Sequence, residues 1–392
     1  MRNTLRPLFL AALLFPAAAM SQIREEYRPL ADLLSTRPER EPTEGNLVEL
    51  YPAGQEVFQK MQEDIMAAQK TVHAEYFIFS KDEAGFPFRM SLRLKALEGV
   101  EVQYLAEDFT HNAGFINKMR KSGVDVRHYP FFPLRRRNHQ KILLMDGEVG
   151  YSGGLNIDRE NLLEWGDMAV RVRGPVVARM EQSFAKMWKH SGGPESACDI
   201  TESAHFEGGV IVQSVDEDPT EKNHINLNAY IWVLDHAKEY FYAKSPYFKP
   251  PREFVEALSN AARRGVDVKL VIPAHKDSPS RVIIPFERVF YEEMVQAGVH
   301  IILQSDKFDH GKMFVSDGYL SAVGSINLDA LSFVYNFENN LYFYDEGIAA
   351  EVKRLIEAEF QDREELTLEE VAHFPVWQRT FMGLFRTLGK VF

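Results

Sequence analysis

The chain repeats one motif at a fixed distance, and this repeat constrains its fold more than any other feature. The first copy consists of His139, Lys141, Asp146, Gly153 and Asn156. With identical internal spacing, a second copy lies 171 residues downstream and consists of His310, Lys312, Asp317, Gly324 and Asn327. Looser matches pair "KALEGVEV" with "AARRGVDV" and "KSGVDV" with "QAGVHI". Self-similarity at one period indicates a tandem duplication of a structural unit.

The segments around the motifs alternate between two patterns. Helical patterns such as "EVFQKMQEDIMAAQ" precede β-rich runs such as "TVHAEYFIF", and this alternation recurs along the chain. It predicts an α/β layered fold. At the offset of 171, the dipeptide Tyr76-Phe77 matches Tyr247-Phe248. We therefore predict two similar α/β domains, over residues 47–205 and 206–372.

The N-terminal residues have a different character. Two arginines precede an apolar run from Pro7 to Met20, which is shorter than the roughly 20 residues that span a bilayer. Residues 1–21 are therefore predicted to be a cleaved export signal or, alternatively, a retained N-terminal anchor. Residues 22–46 are polar and contain three prolines, which predicts a linker or wrapping arm. We expect the protein to be exported, on the periplasmic side or peripheral on a bacterial membrane.

Composition excludes some classes of function. The chain has 57 acidic residues against 45 Lys and Arg, a net charge of -12, so the whole molecule repels polyanions. A general nucleic-acid partner is therefore not expected. The single cysteine, Cys198, excludes an intramolecular disulfide and a cysteine-based metal cluster.

The paired His-x-Lys motif indicates chemistry at a phosphodiester. One copy alone is also typical of an ordinary strand with a solvated His and Lys on one face. Two matched copies, each followed by Asn, favour a shared active site. Lys and Asn donate hydrogen bonds to phosphoryl oxygens, while one imidazole can attack phosphorus and the other can protonate the leaving oxygen. The lysines would supply the positive charge that a metal supplies elsewhere, so no metal or other cofactor is expected.

The acidic residues near the motifs have two predicted roles. Asp146-Gly147 and Asp317-Gly318 have the composition of hairpin turns, so we assign these aspartates, like Gly153 and Gly324, to the structure of the motif. A nucleophilic imidazole usually needs a carboxylate at its other ring nitrogen. Asp167 lies 28 residues after His139, and Glu338 lies 28 residues after His310. We predict that both carboxylates orient the histidines.

These residues carry a resemblance to the phospholipase D superfamily, and within it to the bacterial cardiolipin synthases. The stretches that resemble the subfamily extend from about residue 55 to residue 365 and include "HAEYFIFSKDEAG", "NHQKILLMDGEVGYSGGLNID" and "HGKMFVSDGYLSAVGSINLDALSFVYNFENNLYFYD". The resemblance implies tandem phospholipase D-type domains with mixed β-sheets flanked by helices. It also implies a pseudo-twofold arrangement with the active site at the interface between the domains.

The resemblance also implies a two-step reaction. His139 would attack the phosphorus of phosphatidylglycerol, and His310 would protonate the departing glycerol. His310 would then deprotonate a hydroxyl of a second phosphatidylglycerol, which displaces the phosphohistidine and gives cardiolipin. The phosphoryl oxygens would be held by Lys141, Lys312, Asn156 and Asn327. Alternatives are a phospholipase D that releases phosphatidic acid, a nuclease of the same superfamily, and a vestigial binding module.

Two further segments carry predictions about a membrane surface. In "YPFFPLRRRN", aromatic residues precede Arg135, Arg136 and Arg137, so this stretch is either an interfacial loop that contacts anionic headgroups or a solvated run of charge. In "WQRTFMGLFRTLGKVF", apolar residues recur at helical spacing with cations between them. We predict an amphipathic helix over 373–392, which either packs on the core or lies on a membrane.

Overall fold

The two halves of the chain build one mixed sheet with matching strand orders. The computed structural model describes residues 18–107, 113–129, 136–194, 204–274, 288–304, 308–361, 363 and 365–373. The strands of the first half are β1 (Thr43–Pro52), β2 (Thr71–Tyr76), β3 (Glu101–Glu107), β4 (Asp125–Tyr129), β5 (Lys141–Met145), β6 (Val149–Gly153) and β7 (Met168–Arg173). Those of the second half are β8 (Val210–Glu217), β9 (Tyr240–Lys244), β10 (Phe248–Lys249), β11 (Asp267–Pro273), β12 (His300–Gln304), β13 (Met313–Ser316), β14 (Leu320–Gly324), β15 (Leu328–Asp329) and β16 (Glu338–Tyr344).

The strand order has a pseudo-twofold relation at its centre. Within the described residues, fourteen strands follow the order β4-β3-β2-β5-β6-β7-β1-β8-β16-β14-β13-β9-β11-β12, which reads the same from either end once each strand is replaced by its counterpart. The halves meet where β1 pairs antiparallel with β8 across an irregular register. The short strands β10 and β15 pair separately. The predicted α/β fold of two related units is confirmed.

Helices cover the sheet. In the first half and the segment before it they are Arg28–Leu34, Gln55–Ala67, Gly85–Leu97, Ala113–Arg120 and Val176–His190. In the second half they are Ile225–His236, Arg252–Arg263, Tyr291–Ala297, Glu346–Glu357 and Leu368–Ala372. Among the described residues, no helix combines the length and the apolar character needed to cross a lipid bilayer.

The core includes a layer that both halves share. It combines Ile142 and Leu144 of β5 with Val315 of β13, and it adds the buried faces of the helices Val176–His190 and Glu346–Glu357. Each half also has its own apolar cluster on the other side of its strands. Strands buried on both faces explain why β5 reads as the continuous apolar run "ILLM" after Lys141. The shared layer fixes the two halves against each other.

The segment before the first strand packs on the second half of the chain. The helix Arg28–Leu34 buries Leu30, Ala31 and Leu34 in the core of that half. The first strand begins at Thr43, so the predicted boundary between residues 46 and 47 falls inside β1. Most of the predicted export segment, and all but the first residue of the predicted helix over 373–392, lie outside the described residues.

One sequence match between the halves is wrong. Ala74 of β2 pairs with Leu143, and Ala243 of β9 pairs with Phe314, so these strands correspond at an offset of 169 rather than 171. Likewise, Phe79 bridges Ile157 as Phe248 bridges Leu328. The matched pair Tyr76-Phe77 and Tyr247-Phe248 is therefore not equivalent in the fold. The chain between β9 and β13 is two residues longer than its counterpart, and only the strand register reveals this.

Candidate active site

The two histidines lie on segments that pair with the opposite half. The backbone N–H of His139 donates to the carbonyl of Phe337 at 2.9 Å, and that of His310 donates to the carbonyl of Gly166 at 2.6 Å. Asn138 and Phe337 form one parallel bridge, while Gly166 and Asp309 form its counterpart. Each histidine therefore sits beside the residue that precedes the other half's predicted carboxylate.

This backbone pairing brings the predicted carboxylates to the histidines. The Nδ1 atom of His139 lies 2.9 Å from both carboxylate oxygens of Glu338. The Nδ1 atom of His310 lies 2.9 Å from Oδ2 of Asp167. All four residues are buried. Each carboxylate thus contacts the histidine of the opposite half, and a carboxylate at Nδ1 leaves Nε2 as the reactive nitrogen.

The two carboxylates are held in different ways. Ser325 Oγ donates to Glu338 at 2.5 Å, and Asn336 Nδ2 donates to it at 3.2 Å. Asp167 instead accepts from the N–H of Met168 at 2.7 Å. The counterpart of Ser325 is Gly154, where a Cβ would lie 2.1 Å from Asp167 Oδ1. Ser325 was not predicted. It stands 171 residues after Gly154, so the difference between the two copies at this position is the signal that could have identified it.

The predicted lysines lie beside the histidines. Lys141 Nζ donates to the carbonyl of His139, and Lys312 Nζ donates to the carbonyl of His310. Lys312 Nζ also lies 2.8 Å from His310 Nδ1. Burial lowers the pKa of Lys141 to about 7 and that of Lys312 to about 8, against the opposing effect of the nearby carboxylates. An anion bound beside these lysines would raise both pKa values again. Both ammonium groups are therefore placed to bind an anion.

The other ionisable groups of the site also shift towards neutrality. Burial raises the pKa of Asp167 and of Glu338 to about 7, although the lysines oppose the change. Burial and the two lysines hold the pKa of both His139 and His310 well below the ordinary histidine value. A neutral imidazole has a free lone pair, which is the form that a nucleophile needs.

Both predicted asparagines are buried at the site. Asn156 accepts from the N–H of Ile78 at 3.2 Å and contacts Asn161 at 3.5 Å. The Oδ1 atom of Asn327 has no hydrogen-bond partner among the described residues. A buried acceptor without a donor is costly unless a ligand supplies one. This oxygen therefore suits a donor such as a hydroxyl, whereas a phosphoryl oxygen would need the Nδ2 side of the same amide.

Aromatic rings surround the histidines. The ring of Phe77 lies edge-on to His139, with centroids 4.9 Å apart. The rings of Trp165 and Tyr247 lie 6.0 Å and 6.3 Å from that of His310. All three rings are half-buried. Together these three rings form an aromatic collar. It surrounds a polar floor, which consists of the two histidines, the two lysines and the two carboxylates.

The remaining predicted residues lie elsewhere in the motif. Asp146 and Asp317 occupy the hairpin turns β5–β6 and β13–β14 with φ of 55° and 48°, and each is followed by a glycine with positive φ. At Gly153 a Cβ would lie 2.3 Å from the carbonyl of Met168, and at Gly324 it would lie 2.3 Å from that of Asn339. These glycines permit the close approach of neighbouring strands.

The structure distinguishes two of the three predicted arginines. Arg136 is exposed, whereas Arg137 forms an ion pair with the buried Glu107 at 3.2 Å. Arg135 lies outside the described residues, as do Phe131 and Phe132 before it, whereas Tyr129 is buried at the end of β4. Among the residues described, no cluster of three or more His, Cys, Asp or Glu could hold a metal ion.

Comparison with known proteins identifies relatives over most of the chain. The family described as "Cardiolipin synthase, PLD-like domain" matches residues 61–188 and 230–361. Cardiolipin synthase 1 of Staphylococcus epidermidis is 31% identical over 387 residues, which cover 93% of this chain and 78% of that protein. A cardiolipin synthase of Listeria monocytogenes is 30% identical over 389 residues, 94% of this chain and 80% of that protein. The resemblance predicted from the motifs is confirmed.

A solved structure has the same fold. The crystal structure of phosphatidylserine synthase from Haemophilus influenzae Rd KW20 matches with a TM-score of 0.69, covering 94% of this chain and 98% of that one. The sequences are 13% identical, so this match concerns the fold. The chain thus combines the paired histidine motifs with a duplicated fold, and its relatives are named cardiolipin synthases.

Proposed function

The chain belongs to the PLD-like domain family of cardiolipin synthases, and from this premise we propose that it transfers the phosphatidyl group of one phosphatidylglycerol molecule to a second. The products are cardiolipin and glycerol. The enzyme is a phosphatidyltransferase, as the names of its relatives indicate. The observation that carries the proposal is the pair of buried histidines, each contacted at Nδ1 by a carboxylate of the opposite half.

In the first step, His139 Nε2 attacks the phosphorus of the donor lipid. A P–N bond forms, and the bond from phosphorus to the glycerol headgroup oxygen breaks. His310 donates its Nε2 proton to that oxygen, so glycerol leaves as the neutral alcohol. Binding of the anionic phosphodiester favours the imidazolium form of His310 before the step, because an added negative charge raises the pKa of a nearby base.

In the second step, the neutral His310 acts as a base. It accepts the proton of a hydroxyl on the second phosphatidylglycerol, and the resulting oxygen attacks the phosphohistidine. A P–O bond forms, the P–N bond breaks, and His139 returns to its neutral form. Glu338 and Asp167 stabilise the positive charge that appears on the two imidazoles in these steps.

The lysines and asparagines have a separate role. Negative charge accumulates on the non-bridging oxygens when phosphorus is attacked, and Lys141 and Lys312 are buried beside the attack site. In a site with little water, such charges act more strongly than they do in solution. Asn156 and Asn327 provide neutral hydrogen bonds to the same oxygens.

We also propose that the enzyme works at a membrane surface. Each half has a π-helical turn between its asparagine and its carboxylate, at Glu160–Glu164 and Leu331–Tyr335. These turns expose Leu163, Leu331 and Tyr335 to 44%, 57% and 37%. Apolar side chains outside the aromatic collar suit acyl chains while the headgroup enters the polar floor. The predicted export signal supports a location of the enzyme on the outer side of that membrane.

A product assay tests the proposal. Purified protein is incubated with phosphatidylglycerol vesicles, and lipids and released glycerol are measured. We expect cardiolipin and glycerol in equal amounts, and no products from the His139→Ala variant. Phosphatidic acid without cardiolipin would instead identify a hydrolase. Release of no glycerol by the wild-type protein would contradict both activities.

A further inference from the structure

A matched pair of contacts holds the residue that precedes each catalytic histidine. The register of β2 and β9 makes Glu75 and Lys244 equivalent positions, because each directly follows the paired residues Ala74 and Ala243. Their side chains contact Asn138 and Asp309, which are themselves equivalent. The same site in each half is thus occupied by a different pair of polar groups.

In the first half the contact is an amide held by a carboxyl group. Asn138 Nδ2 donates to Glu75 Oε1, and both residues are buried. The N–H of Asn138 donates to Glu107 at 3.0 Å, and its backbone bridges Phe337. Burial raises the pKa of Glu75 to about 8. The contact therefore fixes the segment from which His139 reaches Glu338.

In the second half the contact is an ion pair. Lys244 Nζ lies 2.5 Å from Asp309 Oδ2 and 2.7 Å from Glu359 Oε1. Asp309 Oδ1 also accepts from the N–H of Gly311 at 2.8 Å, so its carboxylate spans the residues on both sides of His310. Lys244 is only 6% exposed, and breaking a buried ion pair leaves an uncompensated charge.

We propose that Glu75 and Lys244 are equivalent positioning residues, which align His139 and His310 by holding Asn138 and Asp309. The inference rests on the proposed phosphatidyl transfer at this site. It adds two residues that neither the repeat nor the motif identifies, because the repeat offset of 171 places Glu75 opposite Pro246.

The two pairs differ in charge, so the two halves of the site are not electrostatically equivalent. Asp309 raises the pKa of both Asp167 and Lys312, whereas its counterpart Asn138 carries no charge. The charged or titratable groups around Lys312 are Asp167, Asp309, Asp329, Glu338, His139, His310 and Lys141. Removing the charge of Asp309 should therefore make Lys312 lose its proton at a lower pH.

The test compares single and double substitutions. Asp309→Asn and Lys244→Gln are made separately and together, and glycerol release from phosphatidylglycerol is followed over a range of pH. Each single variant should lose about ten- to hundred-fold in kcat, the range seen for groups that orient metal-ligating histidines. The double variant has a neutral pair like that of the first half. It should recover to within about threefold, with the alkaline limb of its profile moved to lower pH.

Two variants of Glu75 extend the test to the first half. Glu75→Gln keeps an oxygen that accepts from Asn138 and should retain most of the activity. Glu75→Leu removes the acceptor and should lose about ten- to hundred-fold in kcat with little change in KM. Asp64→Asn is the control for a largely buried ion pair, since Asp64 pairs with Arg171 at 2.7 Å outside the site and the two side chains are each 10% exposed. It should lower the melting temperature without moving the pH profile.

Glycerol release separates failure of the inference from failure of the proposed function, because both transfer and hydrolysis release it. A wild-type enzyme without this activity would contradict the proposed function itself. An active wild type whose folded single variants keep full kcat would overturn the positioning roles. The same conclusion would follow if the double variant regained the native melting temperature but not its activity.

Discussion

His139 Nδ1 lies 2.9 Å from both carboxylate oxygens of Glu338, a residue 199 positions away in the other half of the chain. His310 and Asp167 have the same relation in the reverse direction, at 2.9 Å. Neither half therefore supplies the carboxylate that contacts its own motif histidine. In the proposed reaction, the site is therefore complete only when the two halves pack together.

Replacing Glu338 with glutamine should cost most of the activity without unfolding the protein. Glutamine keeps the shape of the side chain but cannot stabilise the imidazolium that forms on His139, and it can select the wrong tautomer. Loss of such a carboxylate lowers kcat about 10⁴-fold in serine proteases. We expect a loss of at least about 10³-fold in glycerol release, with KM changed only slightly.

The chain offers a matched control for this substitution. His73 Nδ1 lies 2.7 Å from Glu181 Oε2, and both residues are buried outside the site. Glu181→Gln should therefore lower the melting temperature and leave kcat of the folded enzyme near its wild-type value. Equal losses of kcat in the two variants would show that Glu338 acts only through stability.

The plot of kcat/KM against pH should be a narrow bell-shaped curve. The carboxylates of Asp167 and Glu338 have pKa values of about 7, and kcat/KM should rise as they ionise. Lys141 and Lys312 have pKa values of about 7 and about 8, and kcat/KM should fall as they lose their protons. Since kcat/KM reports the free enzyme, its maximum is expected at about pH 7. A profile that is flat from about pH 5 to 10 would contradict these assignments.

The exposed apolar residues of the π-helical turns should affect activity on membranes. Leu163→Ser combined with Leu331→Ser removes one exposed apolar side chain from each turn. We expect weaker co-sedimentation with phosphatidylglycerol vesicles and a rise in apparent KM of about tenfold, since burying one leucine stabilises by about 1.5–3 kcal/mol. Turnover of a short-chain, water-soluble phosphatidylglycerol should remain unchanged.

A leucine on another surface provides the comparison. Leu97, at the end of the helix Gly85–Leu97, is 68% exposed. It precedes β3, whose first residue Glu101 pairs with Thr71, at the opposite end of β2 from the side that leads to Phe77. Leu97→Ser should alter neither vesicle binding nor KM. Unchanged vesicle binding in the Leu163/Leu331 double variant would exclude the two π-helical turns as the membrane contact.

Asp146 should matter for stability and not for chemistry. Its carboxylate accepts from the N–H groups of Gln69, Lys70 and Thr71 at 2.8, 2.7 and 2.9 Å, and its φ is 55°. Asp146→Ala loses these hydrogen bonds and places alanine in the left-handed region, so unfolding should become easier by about 1–3 kcal/mol. Chemical denaturation gives this value. A large fall in kcat of the folded variant would instead give Asp146 a role in the reaction.

The sequence predicted what depends on local spacing. His139, Lys141 and Asn156 recur at fixed intervals because one hairpin positions all three. The dipeptide Asp146-Gly147 is itself typical of a hairpin turn. Even the carboxylates could be found, since Asp167 stands at the same distance from the motif as Glu338 does from the second one. The family resemblance extended these residues to a reaction.

Which side chains contact each other across the two halves depends on the tertiary fold. Asp167 contacts His310, and Glu338 contacts His139. The reason is that the bridges of Gly166 with Asp309 and of Asn138 with Phe337 join opposite halves. The equivalence of Glu75 and Lys244 was hidden because two extra residues between β9 and β13 break the constant offset of the repeat. Spacing along a chain records contacts within a hairpin, whereas contacts between elements depend on strand register and on the packing of one half against the other.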